Sequence, residues 1–129
     1  MAYSIDMRGA ARRHLDAADK LALAQREDVA GYLYGIAAEC AVKAMAQTLP
    51  CARDKEILMA HFPDLRTLLR EALTGRTAVP LLRILENDAY LNEWEIRVRY
   101  APSREVRNKP LNGWAEQARR TVNMMGEFA

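Results

Sequence analysis

The chain has 129 residues, enough for one domain with a buried core and too few for two comfortable ones. Half of the residues are hydrophobic and 28% are charged, which excludes a disordered chain. Nineteen basic and 17 acidic residues leave a formal +2, too small an excess to point by itself to nucleic acid or to a membrane surface.

Residues 1–6 lack a basic stretch followed by an apolar run, so no secretory signal is expected, and the two cysteines, Cys40 and Cys51, are read as free thiols of a cytoplasmic protein. Two scattered cysteines and two histidines make no zinc pattern, and neither a metal nor a cofactor is expected.

Over residues 5–26 the apolar positions Met7, Ala11, Leu15, Ala18 and Ala22 recur at steps of four, four, three and four, predicting an amphipathic helix. A second helix is expected to open with Asp28 as its cap and to run to about residue 49, before Pro50. Between Val29 and Ala46 its only charged residues are Glu39 and Lys43, so it must be buried on several sides. Two central charges argue against a membrane span and for a central bundle helix that also supplies a subunit contact. Gly31 and Gly35 share one face with Ala38 nearby, where a neighbouring backbone could approach closely. Glu39 and Lys43 stand in the favoured order for an i,i+4 ion pair, worth a few tenths of a kcal/mol if exposed.

A loop containing Pro50 and Cys51 leads to His61-Phe62-Pro63-Asp64 and a short helix over 64–73, with Leu65, Leu68, Leu69 and Leu73 buried. Gly75 ends it, Thr77 is a cap candidate, and a long helix with Pro80 in its first turn is expected over 77–99. Its seam is Ile84, Leu91 and Val98, flanked by Leu81, Leu85 and Trp94. Residues 100–111 are expected to be a loop. A last helix over 112–126 turns Trp114, Ala118, Thr121, Val122 and Met125 inward. The expected fold is all-α: one domain over 1–129, an up-and-down four-helix bundle with an additional short helix.

The run from Ala30 to Ala44, AGYLYGIAAECAVKA, resembles the second helix of HEPN domains. Ala10-Ala11, Ala17-Ala18 and Leu21 are similar to the opening helix of that family. His61-Phe62-Pro63-Asp64-Leu65 is similar to its third-helix entry, and Leu91-Asn92-Glu93-Trp94 with Arg99-Tyr100 to the end of its fourth helix. Together these pieces cover most of residues 8–122. The resemblance implies a helical bundle, commonly homodimeric. Some members are metal-independent ribonucleases with an Arg-x4-6-His motif; others bind RNA or nucleotide without cutting, or pair with a nucleotidyltransferase in toxin-antitoxin modules.

The ribonuclease motif is missing where it belongs, since no histidine follows His61. An Arg-x5-His spacing occurs at Arg8 and His14, but six positions on one helix leave the side chains about 120° apart in angle and about 9 Å apart in rise. The pair cannot meet on one phosphate within a chain.

Between Arg97 and Lys109 five cations, Arg97, Arg99, Arg104, Arg107 and Lys109, face one anion, Glu105. Guanidinium groups match phosphate geometry and Tyr100 can stack on a base, which makes Arg97, Arg99, Tyr100, Arg104 and Arg107 the candidate nucleic-acid or nucleotide site. The alternative is a solvated helix end, with Glu93 and Glu95 four residues before Arg97 and Arg99. His14 is expected to be packed or half-exposed, His61 to fasten a loop, Asp88 and Glu95 to pair with arginines, and Cys40 to be buried and inert. Three functions follow: a non-catalytic homodimer that binds RNA or nucleotide, a module that docks a nucleotidyltransferase-type partner, and a ribonuclease with an atypical site.

Overall fold

The computed structural model describes residues 3–128, so the reading of residues 1–6 as lacking a leader falls partly outside the described residues. Within them the fold is all-helical. The α-helices are α1 (Met7–Leu23), α2 (Glu27–Ala46), α3 (Lys55–Met59), α4 (Asp64–Ala72), α5 (Val79–Glu86), α6 (Ser103–Arg107) and α7 (Leu111–Met124). Short 3-10 helices stand at Pro50–Ala52, Arg76–Ala78, Ile96–Tyr100 and Met125–Glu127.

The apolar helix α2 is the hub, as its composition requires. Thirteen of its 20 residues are buried, and it packs chiefly against α1 and α7, with α6 and the 3-10 helix Ile96–Tyr100 on a further side. Its alanines let neighbouring helices close in, while Val42 and Met45 fill the space between them. A polar tie joins three helices: the Tyr34 hydroxyl donates to Asp19 at 2.6 Å, and Arg119 donates to the same carboxylate oxygen at 2.5 Å. Burial first, and then the bond to Asp19, pushes the Tyr34 hydroxyl up to about 12.

The glycine face of α2 receives an indole rather than a backbone. A methyl group at Gly35 would stand 1.8 Å from the Trp94 ring, and one at Gly31 would stand 2.7 Å from Leu111 and 3.2 Å from Trp114. Trp94 Nε1 donates to the Gly31 carbonyl at 3.2 Å, and Trp114 Nε1 donates to the Asn92 carbonyl at 2.8 Å. Both indoles are buried and both N–H groups are satisfied.

The long helix expected over 77–99 is not formed. Pro80 lies in the first turn of α5 as anticipated, but the helix stops at Glu86 because Asn87 leaves helical geometry and its side chain accepts from Ala89 N at 3.0 Å. Leu91 and Glu93 then take positive φ, 51° and 67°. Arg66 compensates for the broken helix, donating to the Leu85 carbonyl at 2.5 Å, the Asn87 carbonyl at 3.1 Å and the Tyr90 carbonyl. Leu81, Leu85, Leu91, Trp94 and Val98 are buried as their spacing suggests, while Ile84 is only partly so. The heptad spacing marked the buried residues correctly except for Ile84, and the backbone that carries them wrongly.

Three smaller corrections concern the bounds of α2 and two short helices, each of the latter with a single buried residue. Arg26, not Asp28, takes the cap position of α2, which ends at Ala46 rather than near residue 49. The loop after Pro50 contains α3, anchored by Ile57. Residues 100–111 contain α6, whose Val106 is 1% exposed and whose first turn bonds to the Pro102 carbonyl.

α1 ends in a Schellman arrangement: Arg26 N donates to the Leu21 carbonyl at 2.8 Å and Gln25 N to the Ala22 carbonyl at 3.1 Å, with Gln25 at φ 62°. Gln25 is exposed and its side chain carries a steric cost there that glycine lacks. Gln25→Gly is expected to stabilise the fold by about 0.5–1 kcal/mol, seen as a higher urea midpoint. Gly35→Ala, which forces Trp94 off α2, is expected to cost about 2–3 kcal/mol in the same measurement.

Candidate functional site

The five candidate residues lie on two adjoining pieces of chain. Arg97, Arg99 and Tyr100 sit on the 3-10 helix Ile96–Tyr100, and Arg104 and Arg107 on α6. Inward-facing Val98 and Val106, both buried, seat these short elements on α2. The polar side chains are thereby left on the outer surface.

The structure divides them. Arg97 donates to Glu95 at 2.7 Å, Arg107 lies 3.4 Å from Asp28 and 3.8 Å from Glu27, and Lys109 lies 3.3 Å from Glu93. Among the described residues, Arg99 and Arg104 have no carboxylate within ion-pair distance. Arg99 instead lies over the Tyr100 ring, 4.8 Å from its centroid, and beside Tyr32, whose hydroxyl accepts from it at 3.3 Å. Tyr32 in turn stacks on Trp94 with ring centroids 6.3 Å apart. Tyr100 is 73% exposed, with a ring face open to solvent. Glu27, Asp28, Glu93 and Glu95 therefore offset most of the +4 carried by residues 97–109. The cations left without a carboxylate are Arg99 and Arg104, with the Tyr100 ring beside Arg99.

Asp28 anchors α6 to the start of α2. It accepts from Arg26 at 3.1 and 3.3 Å and from Ser103 at 2.8 Å. The bonds from Arg26 and then Ser103, helped by the charges of Arg26 and Arg107 and opposed by desolvation, hold its carboxyl down at about 2.

A second cluster lies at the turn between α3 and α4. Glu39 and Lys43, expected from their i,i+4 order to pair, do so in the interior: their side chains are 4% and 5% exposed, 3.6 Å apart. Glu39 also accepts from Phe62 N at 3.0 Å and from His61 Nδ1 at 2.9 Å. His61 thus fastens a loop, as expected, but through a buried carboxylate from another helix. Its own ring is 47% exposed. The ring lines a cavity of about 450 Å³ with Phe62, Pro63, Asp64, Glu95 and Arg97. One signal for this cluster was present in the sequence: two charges inside an otherwise apolar helix require partners if the helix is central.

The remaining candidates are structural. Arg8 donates to the Met125 and Phe128 carbonyls, and His14 Nδ1 shares a 2.6 Å hydrogen bond with the Ala10 carbonyl, so the Arg-x5-His spacing assembles no site. Cys40 is partly buried, and burial, then the charge of Glu39, pushes its thiol up to about 11. Asp88 is exposed and lines a shallow cavity with Arg66. Among the described residues no group of three or more His, Cys, Asp or Glu is placed to hold a metal ion, and no helix is long and apolar enough to cross a membrane.

No family model, curated protein or solved structure matches this chain. Its site is therefore read from its own geometry.

Because the Asp28 carboxyl titrates below its ordinary value of 3.8, its contribution to folding is complete above about pH 4 and is lost as pH falls through about 2. The difference in urea midpoint between the native protein and Asp28→Asn is expected to be full near about pH 6 and to close progressively below about pH 4.

Proposed function

We propose that this chain is a non-catalytic, HEPN-like component that binds single-stranded RNA or a nucleotide on the surface formed by Arg99, Tyr100 and Arg104. One observation carries the reading: the Arg99 guanidinium, without a carboxylate partner among the described residues, lies over a Tyr100 ring that is 73% exposed, and the likewise unpaired Arg104 follows on the adjoining α6. A phosphate can accept from either guanidinium, and a base can stack on the open face of Tyr100. Arg97 and Arg107 play a lesser part in this reading, since each must exchange an existing carboxylate for a phosphate.

The HEPN resemblance supports a homodimer, which would present two such surfaces, and membership of a toxin-antitoxin type module. The lack of an Arg-x4-6-His motif after residue 61 supports binding without cleavage. The interleaving of Arg107 and Lys109 with Glu27, Asp28 and Glu93 favours a second reading, a protein-docking face for a nucleotidyltransferase-type partner. Co-purification of one stoichiometric protein free of nucleic acid distinguishes the two.

Fluorescence anisotropy with a labelled oligouridylate tests the first. With two phosphates contacted, log affinity should fall against log salt with a slope of about −1.4, and Arg99→Ala or Arg104→Ala should each flatten it by about 0.7. Tyr100→Ala should weaken binding by about 1–3 kcal/mol, and Arg107→Ala should change it least. Salt-independent binding, or equal effects from all four variants, contradicts the assignment.

A further inference from the structure

The charges around Glu39 do not close on themselves. Lys43 stands 3.6 Å from Glu39 Oε2 and neutralises it, yet His61 donates to that same oxygen from the other side. With Nδ1 committed to Glu39, the Nε2 position has no protein partner among the described residues, on a ring that is 47% exposed and lines the cavity. When the ring carries a proton on both nitrogens, its second N–H donates outward. Its charge then has no anion of its own inside the protein, because Glu39 already answers to Lys43.

The other cation at the cavity is Arg97, 79% exposed and paired with Glu95 at 2.7 Å. An exposed pair of that kind contributes little and exchanges readily for a stronger acceptor. Asp64 and Glu95 are the acidic groups on the cavity wall, and neither forms an ion pair with His61 among the described residues. Arg97, on the cavity wall, and Arg99 stand two residues apart on one short 3-10 helix, so one element carries a cation of each site.

We propose that this cavity is a phosphomonoester site in which His61, oriented by the buried Glu39–Lys43 pair, and Arg97 together grip a terminal phosphate. The inference rests on the RNA-or-nucleotide reading above and adds a substrate class to it. A monoester carries close to two negative charges at neutral pH, matching Arg97 and a His61 ring protonated on both nitrogens, whereas an internal phosphodiester carries one. The phosphate arrives as the end of a bound strand or on a free mononucleotide. Glu95 competes with it for Arg97. Glu39 is a positioning residue here; only His61 and Arg97 touch the ligand.

The test compares 5′-phosphorylated with 5′-hydroxyl oligouridylate, and follows the His61 ring resonances during titration with adenosine monophosphate. The phosphorylated strand is expected to bind about tenfold tighter, equivalent to about 1.4 kcal/mol. His61→Asn should abolish that preference while leaving hydroxyl-ended binding in place, Arg97→Ala should abolish it with at most a small loss of hydroxyl-ended binding, and Glu95→Ala should enlarge it. Equal affinity for both ends in the native protein, with the His61 ring unmoved by the mononucleotide, overturns the site. If neither strand binds but the mononucleotide shifts the His61 ring in the native protein and not in Arg97→Ala, the surface reading fails and the phosphate site stands for the free nucleotide. A mononucleotide shift that persists unchanged in Arg97→Ala also overturns the proposed grip.

Discussion

The contact on which the rest depends is the indole of Trp94 seated against the backbone of α2 at Gly35. No side chain larger than hydrogen fits there, and the Gly31 carbonyl takes the indole N–H. From that point order passes outward through touching groups: Trp94 stacks on Tyr32, Tyr32 meets Arg99, and Arg99 lies over Tyr100. A cation on a short 3-10 helix would by itself be poorly placed, because such a helix has few bonds of its own. The aromatic chain gives this one a defined position without involving a carboxylate, and so leaves its charge uncompensated.

The second constraint is ionic and lies on another side of the same helix. Placing Glu39 and Lys43 in the core is unfavourable unless both are paired and their remaining bonding capacity is met. Glu39 meets that condition with three partners: Lys43, the backbone of Phe62 and the ring of His61. The arrangement ties α2 to the start of α4, 22 residues away for His61. It also leaves a histidine at the surface whose orientation is set from below. α2 is therefore both the packing centre and the element that positions both candidate sites.

The helices α1, α4 and α7 were legible because each shows apolar residues at helical spacing, which names their buried positions and also Met7, Leu15, Ala22 and Leu68, which are only partly buried; α2 was legible from its nearly uncharged composition. The break after Glu86 was not. Leu91 and Val98 stand at the distance from Ile84 that a continuous helix would need, and periodicity alone cannot register that Asn87 turns the chain. The turn is tolerable because Arg66, from a different helix, caps the freed carbonyls. α6 was hidden for the opposite reason: one buried valine among charged residues is too weak a pattern to count.

What the sequence by itself determined is the helical class, the burial of α2, a small-residue face open to some close neighbour, and the concentration of cations between residues 97 and 109. Tertiary structure alone decided which group fills that face and which of those cations stay uncompensated. Glu27 and Asp28 sit some eighty positions before Arg107 in the chain but within 4 Å of it in space, and Coulomb energy follows the second distance. Whether Glu39 and Lys43 form a weak surface pair or a buried anchor likewise depends on the dielectric around them, which only the packing of the surrounding helices creates.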